Sequence, residues 1–249
     1  MSKCIRIKCS QISANYKKPL SIDIGESFPL PPYSTVIGFV HNMCGFRPTK
    51  EKPYMPMKVS IQGEHATMIS DMYTRYFMGI AYEEGGRHQL KVKNGDGWDG
   101  ITVGPSDMEL LIDVNLVLHI LPQEQEDFDR ILSGLKNPAI YPSLGRYEDL
   151  LRIDKVDVVK FEPTQSPKVC LDAYIPEVIY AKAKGLMGSY APCSRYTLNK
   201  IYNINDKSGF REWEKVHAFH YRADNDLVLT AEVAHQEMNT EEKFGIFFA

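Results

Sequence analysis

The sequence has no long apolar run. None of its apolar stretches reaches the roughly 18 to 20 residues that a membrane-spanning helix needs. The first residues, MSKCIRIKCS, carry charges where a signal peptide has its apolar core. With 43% hydrophobic and 24% charged residues, the chain has the composition of an ordinary globular protein. We therefore expect a cytoplasmic protein that does not bind a membrane.

Cysteine is scarce and scattered. The five cysteines are an odd set without a CxxC pair: Cys4, Cys9, Cys44, Cys170 and Cys193. This pattern argues against a disulfide framework and against structural zinc. Neither a metal nor a cofactor is predicted.

Catalytic signatures are also missing. There is no HExxH, GxSxG or phosphate-loop motif. His119 follows Leu118 in an apolar, alternating segment. His217 and His220 are three apart, so on a strand they would point to opposite faces. No catalytic residue is predicted.

A positive net charge, common in nucleic-acid-binding proteins, is absent too, since the formal net charge is −3. The charges are nevertheless segregated. Residues 1–60 contain nine Lys and Arg against three Asp and Glu, and residues 181–222 contain eight against three. Residues 106–160 contain six against eleven, and residues 223–249 one against six. The two basic segments, if adjacent, would form a groove for phosphates. Chance clustering on solvated faces is the alternative.

The stretch Phe28–Gly45, FPLPPYSTVIGFVHNMCG, joins a stiff turn to a short apolar helix. Its prolines hold the approach extended, so the helix is predicted to begin after Pro32. Ser34 or Thr35 is the predicted N-cap. Apolar residues then recur at helical spacing, and Gly45 suits the left-handed residue that ends a helix.

Strand and helix periodicities continue along the chain. In the first strand Ile5 and Ile7 alternate with Arg6 and Lys8, which predicts a basic outer face. Strands are predicted at residues 3–12, 20–24, 57–62, 67–80, 108–121, 155–161, 169–175, 178–181, 215–221 and 227–234, and a second helix at 124–136. The first part of this order is that of a ferredoxin-like βαββαβ unit.

The segment Gly79–Gly104 contains seven glycines. So many glycines exclude a helix and predict a long, mobile hairpin. A plain surface loop is the alternative.

Three motifs in this order resemble the Cas-five family of CRISPR-associated RAMP proteins. The first is the basic loop Tyr16–Pro19, followed by PPYSTVIG and a helix ending in Cys-Gly. The second is YPSLGRYEDL at Tyr141–Leu150, which resembles the family's Leu-Gly-Arg block. The third, C-terminal pattern consists of Pro192, Arg195, Tyr196, Leu198, Trp213, Val216 and Tyr221.

The resemblance implies an α+β fold. A ferredoxin-like (RRM-like) RAMP domain would cover residues 1–162, with a thumb hairpin near 79–105, and a β-rich extension at 163–249 would pack on it. RAMP thumbs displace a nucleotide or separate neighbouring subunits. The short RNP1 consensus is absent, so RNA contacts are expected from loops and helix ends.

The function implied is that of a non-catalytic subunit of a type I Cascade complex, near subtype I-B, in antiviral defence. Such a subunit grips the 5′ handle of the guide RNA (crRNA) and caps the filament of backbone subunits. It also docks the large subunit, through which it meets target DNA indirectly. Two alternatives remain open. One is a metal-independent ribonuclease of the same family, although its Tyr, Lys and His trio has no match here. The other is an unrelated ferredoxin-like module that binds a ligand or a protein.

RNA-end recognition needs cations, backbone donors and flat surfaces for bases. The predicted RNA-binding residues are Lys17, Lys18, Tyr33, Ser34, Thr35, His41, Asn42, Gly145, Arg146, Lys184, Arg195 and Tyr196. The predicted thumb residues are Arg87, His88, Lys91 and Lys93. His41 and Asn42 could instead bond within the core or face water. Arg146 could instead pair with Glu148 or Asp149.

Overall fold

The computed structural model describes residues 2–21, 24–49, 52–184, 193–205, 207–223, 227–238 and 240–249. Within these residues the protein is a mixed α and β fold built on one twelve-stranded, mostly antiparallel sheet. The strands are β1 (Ser2–Ala14), β2 (Ile24–Gly25), β3 (Met57–Glu64), β4 (Thr67–Ala81), β5 (Leu90–Asn94), β6 (Gly97–Pro122), β7 (Arg152–Thr164), β8 (Asp172–Pro176), β9 (Cys193–Ile204), β10 (Arg211–Tyr221), β11 (Ala234–Met238) and β12 (Gly245–Ile246). The helices are α1 (Tyr33–Met43), α2 (Gln125–Lys136) and α3 (Glu177–Tyr180).

Four antiparallel strands form the centre of the sheet in the order β7-β1-β6-β3. Ile7 in β1 lies between Leu118 of β6 and Val156 of β7. The connection from β1 to β3 contains α1, and the connection from β6 to β7 is α2. The apolar face predicted for α1 is buried in the main core.

The two helices touch at Gly134. A β-carbon there would lie 2.5 Å from Cys44 Cα, so only glycine permits this approach. The helices therefore form one layer over the central strands, and this contact fixes the C-terminal end of α1.

The last third of the chain extends this sheet on both sides. Strands β11 and β12 follow β7 at one side, while β8, β10 and β9 follow β3 at the other. Residue 162, the expected domain boundary, falls within β7. The final segment FGIFFA, whose placement the sequence left open, is part of the core, with Phe247 fully buried.

A single long hairpin runs out of the sheet. Strands β3 and β4 face β6 in one continuous register, from Met57 opposite Pro122 to Phe77 opposite Thr102. Short β5 pairs with the other side of β6. We call β4, β5 and residues 97–112 of β6 the outer arm. The 15 residues of β4 span roughly 50 Å at about 3.3 Å per residue.

Several local predictions were wrong. Residues 178–181 belong to α3 and its C-cap rather than to a strand. Most of the predicted strand at 227–234 is absent, since β11 begins at Ala234. The N-cap of α1 is Pro32, and neither Ser34 nor Thr35 caps it, because both lie inside the first turn.

Two other expectations were also wrong. Arg6 is only 5% exposed, so the outer face of β1 is not simply basic. Arg195 and Tyr196 lie in β9, where no strand was predicted. Pro192 of the C-terminal motif lies outside the described residues. No helix among the described residues is long and apolar enough to cross a membrane.

Candidate nucleic-acid interface

The turn after β1 and the Leu-Gly-Arg block meet at the base of the outer arm. Gln11 Nε2 donates to two backbone carbonyls of the block, at 2.8 and 3.0 Å. Asp149 Oδ2 accepts the backbone N–H groups of Asn15 at 3.0 Å and Arg146 at 2.8 Å. Gly145 has φ +108°, and a β-carbon there would lie 2.9 Å from Asn15 O. Segments about 130 residues apart in sequence are therefore locked together.

Lys17 and Lys18 lie on the turn fixed by this contact. Lys17 is exposed, and its backbone pairs with Ser27. Lys18 Nζ lies 2.9 Å from Glu26 Oε2. Partial burial opposes the charge of Lys18, but the hydrogen bond to Glu26 raises its pKa overall. The turn that carries both lysines is thus anchored to the Leu-Gly-Arg block through Asn15.

Arg146 is held by acids. Its Nη2 lies 2.6 Å from Asp149 Oδ1, and its Nη1 lies 3.0 Å from Glu148 Oε1. The same Nη1 lies 2.8 Å from Met108 Sδ on β6. The Asp149 side chain is 1% exposed, so the arginine compensates a buried carboxylate. Arg146 therefore fixes the block in place, and replacing it is not expected to leave the fold intact.

A cleft of about 810 Å³ opens beside Lys18. Tyr196 of β9 lines it, with its ring edge-on to Phe28 at 5.6 Å between centroids. His220 also lines it, with Nε2 3.3 Å from Asp172 Oδ2. Lys18 and Tyr196, 178 positions apart in sequence, are thus brought to one site.

Two other predicted RNA-binding residues, Arg195 and Lys184, lie outside this cleft. Arg195 neighbours Tyr196 in a strand, so their side chains point to opposite faces. Arg195 forms two hydrogen bonds with Glu177, at 3.0 and 3.1 Å. Lys184 is exposed, and its backbone N–H donates to Val228 O. Lys184 and Arg195 are not among the residues that line the cleft beside Lys18.

The predicted RNA-binding residues of α1 differ in their burial. Tyr33 is fully buried against Tyr174, which makes its side chain part of the core. Ser34 and Thr35 are half-buried in the first turn. His41 Nε2 accepts the N–H of Met55 at 3.2 Å, and burial lowers the pKa of His41 to about 4. His41 is therefore neutral at pH 7.

Ser34, His41 and Asn42 share a second cleft, between α1 and the β9–β10 hairpin. Three of its other residues, Lys200, Tyr202 and Trp213, were not among the predicted RNA-binding residues, although Trp213 belongs to the C-terminal motif. Tyr202 pairs with Trp213 across the hairpin, and the register of the two strands shifts between this pair and the next one, Lys215 with Asn199. The motif that contains Trp213 was the available signal. The candidate residues therefore occupy two clefts and not one continuous cradle.

The thumb candidates lie on the outer arm. The ring of His88 covers Gly100, where a β-carbon would overlap it. Lys91 Nζ lies 5.1 Å from the ring centroids of both Tyr82 and Trp98. Arg87 and Lys93 are exposed. Their thumb role stays a prediction.

The histidines singled out in the sequence have different surroundings. His119 is fully buried, with Nε2 2.7 Å from Glu237 Oε1. His217 Nδ1 lies 3.1 Å from Thr197 Oγ1. Among the described residues no cluster of three or more His, Cys, Asp or Glu side chains can hold a metal ion.

Comparison with known proteins agrees with this architecture. A subunit of a solved CRISPR RNA-guided surveillance complex is similar over 92% of both chains, with 14% identity and a TM-score of 0.55. A CRISPR protein from Archaeoglobus fulgidus matches over 99% of both chains, with 10% identity and a TM-score of 0.44. No curated protein sequence matches this chain. The family model for the CRISPR-associated protein Cas5 matches residues 4–225, and the chain therefore belongs to the Cas5 family.

Proposed function

We propose that this chain is the non-catalytic subunit of a type I CRISPR Cascade complex that holds the 5′ handle of crRNA. In this role it caps the filament of backbone subunits and docks the large subunit, near subtype I-B. The observation that carries the proposal is the contact of Asn15, two residues before Lys17, with Gly145 and Asp149 at the base of the outer arm. The two most specific family motifs thereby form one surface.

Two lysines provide the positive charge proposed to meet a phosphate chain, and Glu64, Glu109 and Asp172 also line the cleft beside Lys18. Lys17 is exposed, and the Lys18–Glu26 pair is half exposed, with side-chain exposures of 32% and 46%. Exposed pairs contribute only about 0 to 1 kcal/mol, so a phosphate competes readily for Lys18. Gly145 has no side chain to cover the neighbouring backbone. Lys17 and Lys18 are the phosphate contacts in this proposal, and Asp149, which pairs with Arg146, holds the backbone of Asn15 just before them.

The sheet order supports the same role. The order β7-β1-β6-β3, with α1 and α2 in the connections, is the one expected of a ferredoxin-like unit. The outer arm is an extension of its β3–β6 pair, and we assign it the thumb role. Tyr196, in the cleft beside Lys18, offers a ring on which a base can stack.

The test is a double replacement, Lys17→Ala with Lys18→Ala. Affinity for the small RNA that co-purifies with the chain should fall, and the slope of log affinity against log salt should decrease by about 1 to 2 units. Fluorescence anisotropy at several salt concentrations measures both.

The matched control removes two exposed lysines elsewhere, Lys136→Ala with Lys160→Ala, and should leave the slope unchanged. Equal effects of the two double variants would contradict the proposed surface. Cleavage of a repeat hairpin RNA in the presence of EDTA would overturn the non-catalytic role and favour the ribonuclease alternative.

A further inference from the structure

Two helical glycines have opposite surroundings. A β-carbon on Gly134 of α2 would lie 2.5 Å from Cys44 Cα, so close helix packing explains this glycine. Gly38 lies in the middle of α1, and a β-carbon there would meet no atom within 4 Å. A glycine inside a helix costs about 1 kcal/mol relative to alanine. No packing within the described residues accounts for Gly38, and the space above it is a cleft.

This cleft, which we call the aromatic slot, has a volume of about 230 Å³. It is smaller than sites for drug-sized ligands, which run roughly 300 to 1,000 Å³. Four aromatic side chains line it: Phe46, Tyr54, Tyr202 and Trp213. The Tyr202 and Trp213 rings lie 5.0 Å apart at 59°. The slot therefore suits one flat ring.

Cations stand beside the rings. Lys200 lines the slot, and its Nζ lies 3.9 Å from Glu214 Oε1. At this distance the carboxylate compensates only part of the lysine charge. The Arg211 guanidinium lies 4.4 Å from the Tyr202 ring centroid. Asn42 supplies an exposed amide on the helix side. A flat ring attached to an anionic group matches this combination.

We propose that the aromatic slot holds one unstacked nucleobase of single-stranded RNA, with Lys200 at its phosphate. The proposal rests on the RNA-binding function above and adds a base-stacking site separate from the Lys17–Lys18 surface. Stacking on aromatic side chains is tolerant of sequence, because every base has a π-face. Gly38 keeps the slot open on the helix side.

The first test fills the slot with Gly38→Leu. Leucine is the better helix former, so the variant should unfold at a higher temperature than the native protein. Its affinity for octa-adenylate RNA should fall about tenfold, the effect expected from losing one stacked base. The control Ser133→Leu adds the same side chain on the exposed side of α2 and should leave the affinity unchanged.

The second test uses tryptophan fluorescence. Trp98→Phe leaves Trp213 as the remaining tryptophan of the two. Octa-adenylate should quench its emission, whereas an abasic ribose-phosphate octamer of the same charge should not. Native protein should also bind the abasic octamer about tenfold more weakly.

These experiments distinguish an error in the slot proposal from an error in the proposed function. If octa-adenylate binds with equal affinity to native protein and Gly38→Leu, without quenching Trp213, the slot is wrong and the Lys17–Lys18 surface stands. If the native protein binds neither octa-adenylate nor any co-purifying RNA, both proposals are overturned.

Discussion

The long hairpin has an inner half, in which β3 pairs with residues 115–122 of β6, and an outer half, in which β4 pairs with residues 99–112 of β6. The two halves share one hydrogen-bonding register but have opposite surroundings. Ser60 pairs with His119 in the inner half, and Ser70 pairs with Glu109 in the outer half. Leu118 is fully buried, whereas Met72 is 71% exposed. Ladder hydrogen bonds occur in both halves, but large-scale apolar burial occurs only in the inner one. The comparison separates the contribution of strand pairing from that of burial.

The largest expected effect comes from the buried charges that contact the inner half through His119. Glu237 accepts from His119 at 2.7 Å and pairs with Arg6 at 2.9 Å. Glu237→Ala leaves Arg6 with less compensation and should lower the free energy of unfolding by about 3 to 5 kcal/mol. The control Glu83→Ala, in the exposed segment before β5, should change it by less than about 0.5 kcal/mol. Urea unfolding measures both, and equal losses would remove the distinction between the halves.

A smaller effect is expected from apolar truncation. Leu118→Ala opens a cavity in the core and should lower the free energy of unfolding by about 3 kcal/mol. Leu90→Ala, at a β5 position that is 51% exposed, should lower it by less than about 1 kcal/mol. Denaturant midpoints at constant slope give both values. A loss at Leu90 as large as at Leu118 would show that the arm is packed against other parts of the molecule.

The smallest effect is the response to acid. Burial lowers the pKa of His119 below its ordinary value of 6.5, despite the hydrogen bond to Glu237. Burial opposes ionisation of Glu237, but the bond from His119 lowers its pKa overall below 4.5. Below pH 6.5 the unfolded chain binds more protons at His119, and below pH 4.5 it also binds more at Glu237. Stability should therefore decline as the pH falls from 6.5.

Replacing the histidine sharpens this test. His119→Gln retains a hydrogen-bonding side chain and should flatten the decline just below pH 6.5. Thermal unfolding across a pH series measures it. An unchanged profile in the variant would assign the acid response to other groups.

Local sequence signals predicted much of the fold. Proline placement gave the start of α1, and period-two alternation gave β1 and β6. The short apolar run of α3 was taken for a strand, because runs of that length fit either structure. The partner of Arg6 could not be predicted, since Glu237 is 231 positions away. Such contacts depend on which strands become neighbours.

The candidate site was predictable to a similar degree. The acid partner of Arg146 lies three residues ahead, so that alternative was visible in the sequence. The meeting of Lys18 with Tyr196 depends on the register of β8, β9 and β10. The aromatic slot additionally requires β9 to pack against α1. Neither the Lys18–Tyr196 cleft nor the aromatic slot could be predicted from the sequence of α1 alone, because both depend on contacts with distant strands.

The late strands at both sides of the sheet have a consequence for folding. Until residues beyond 164 have been synthesised, β7 and β3 are unpaired edges, each a template for pairing with other chains. Closing both edges requires contacts between distant parts of the sequence, which form slowly. A chain interrupted before β8 would therefore be prone to aggregation even though its helices and four central strands were complete.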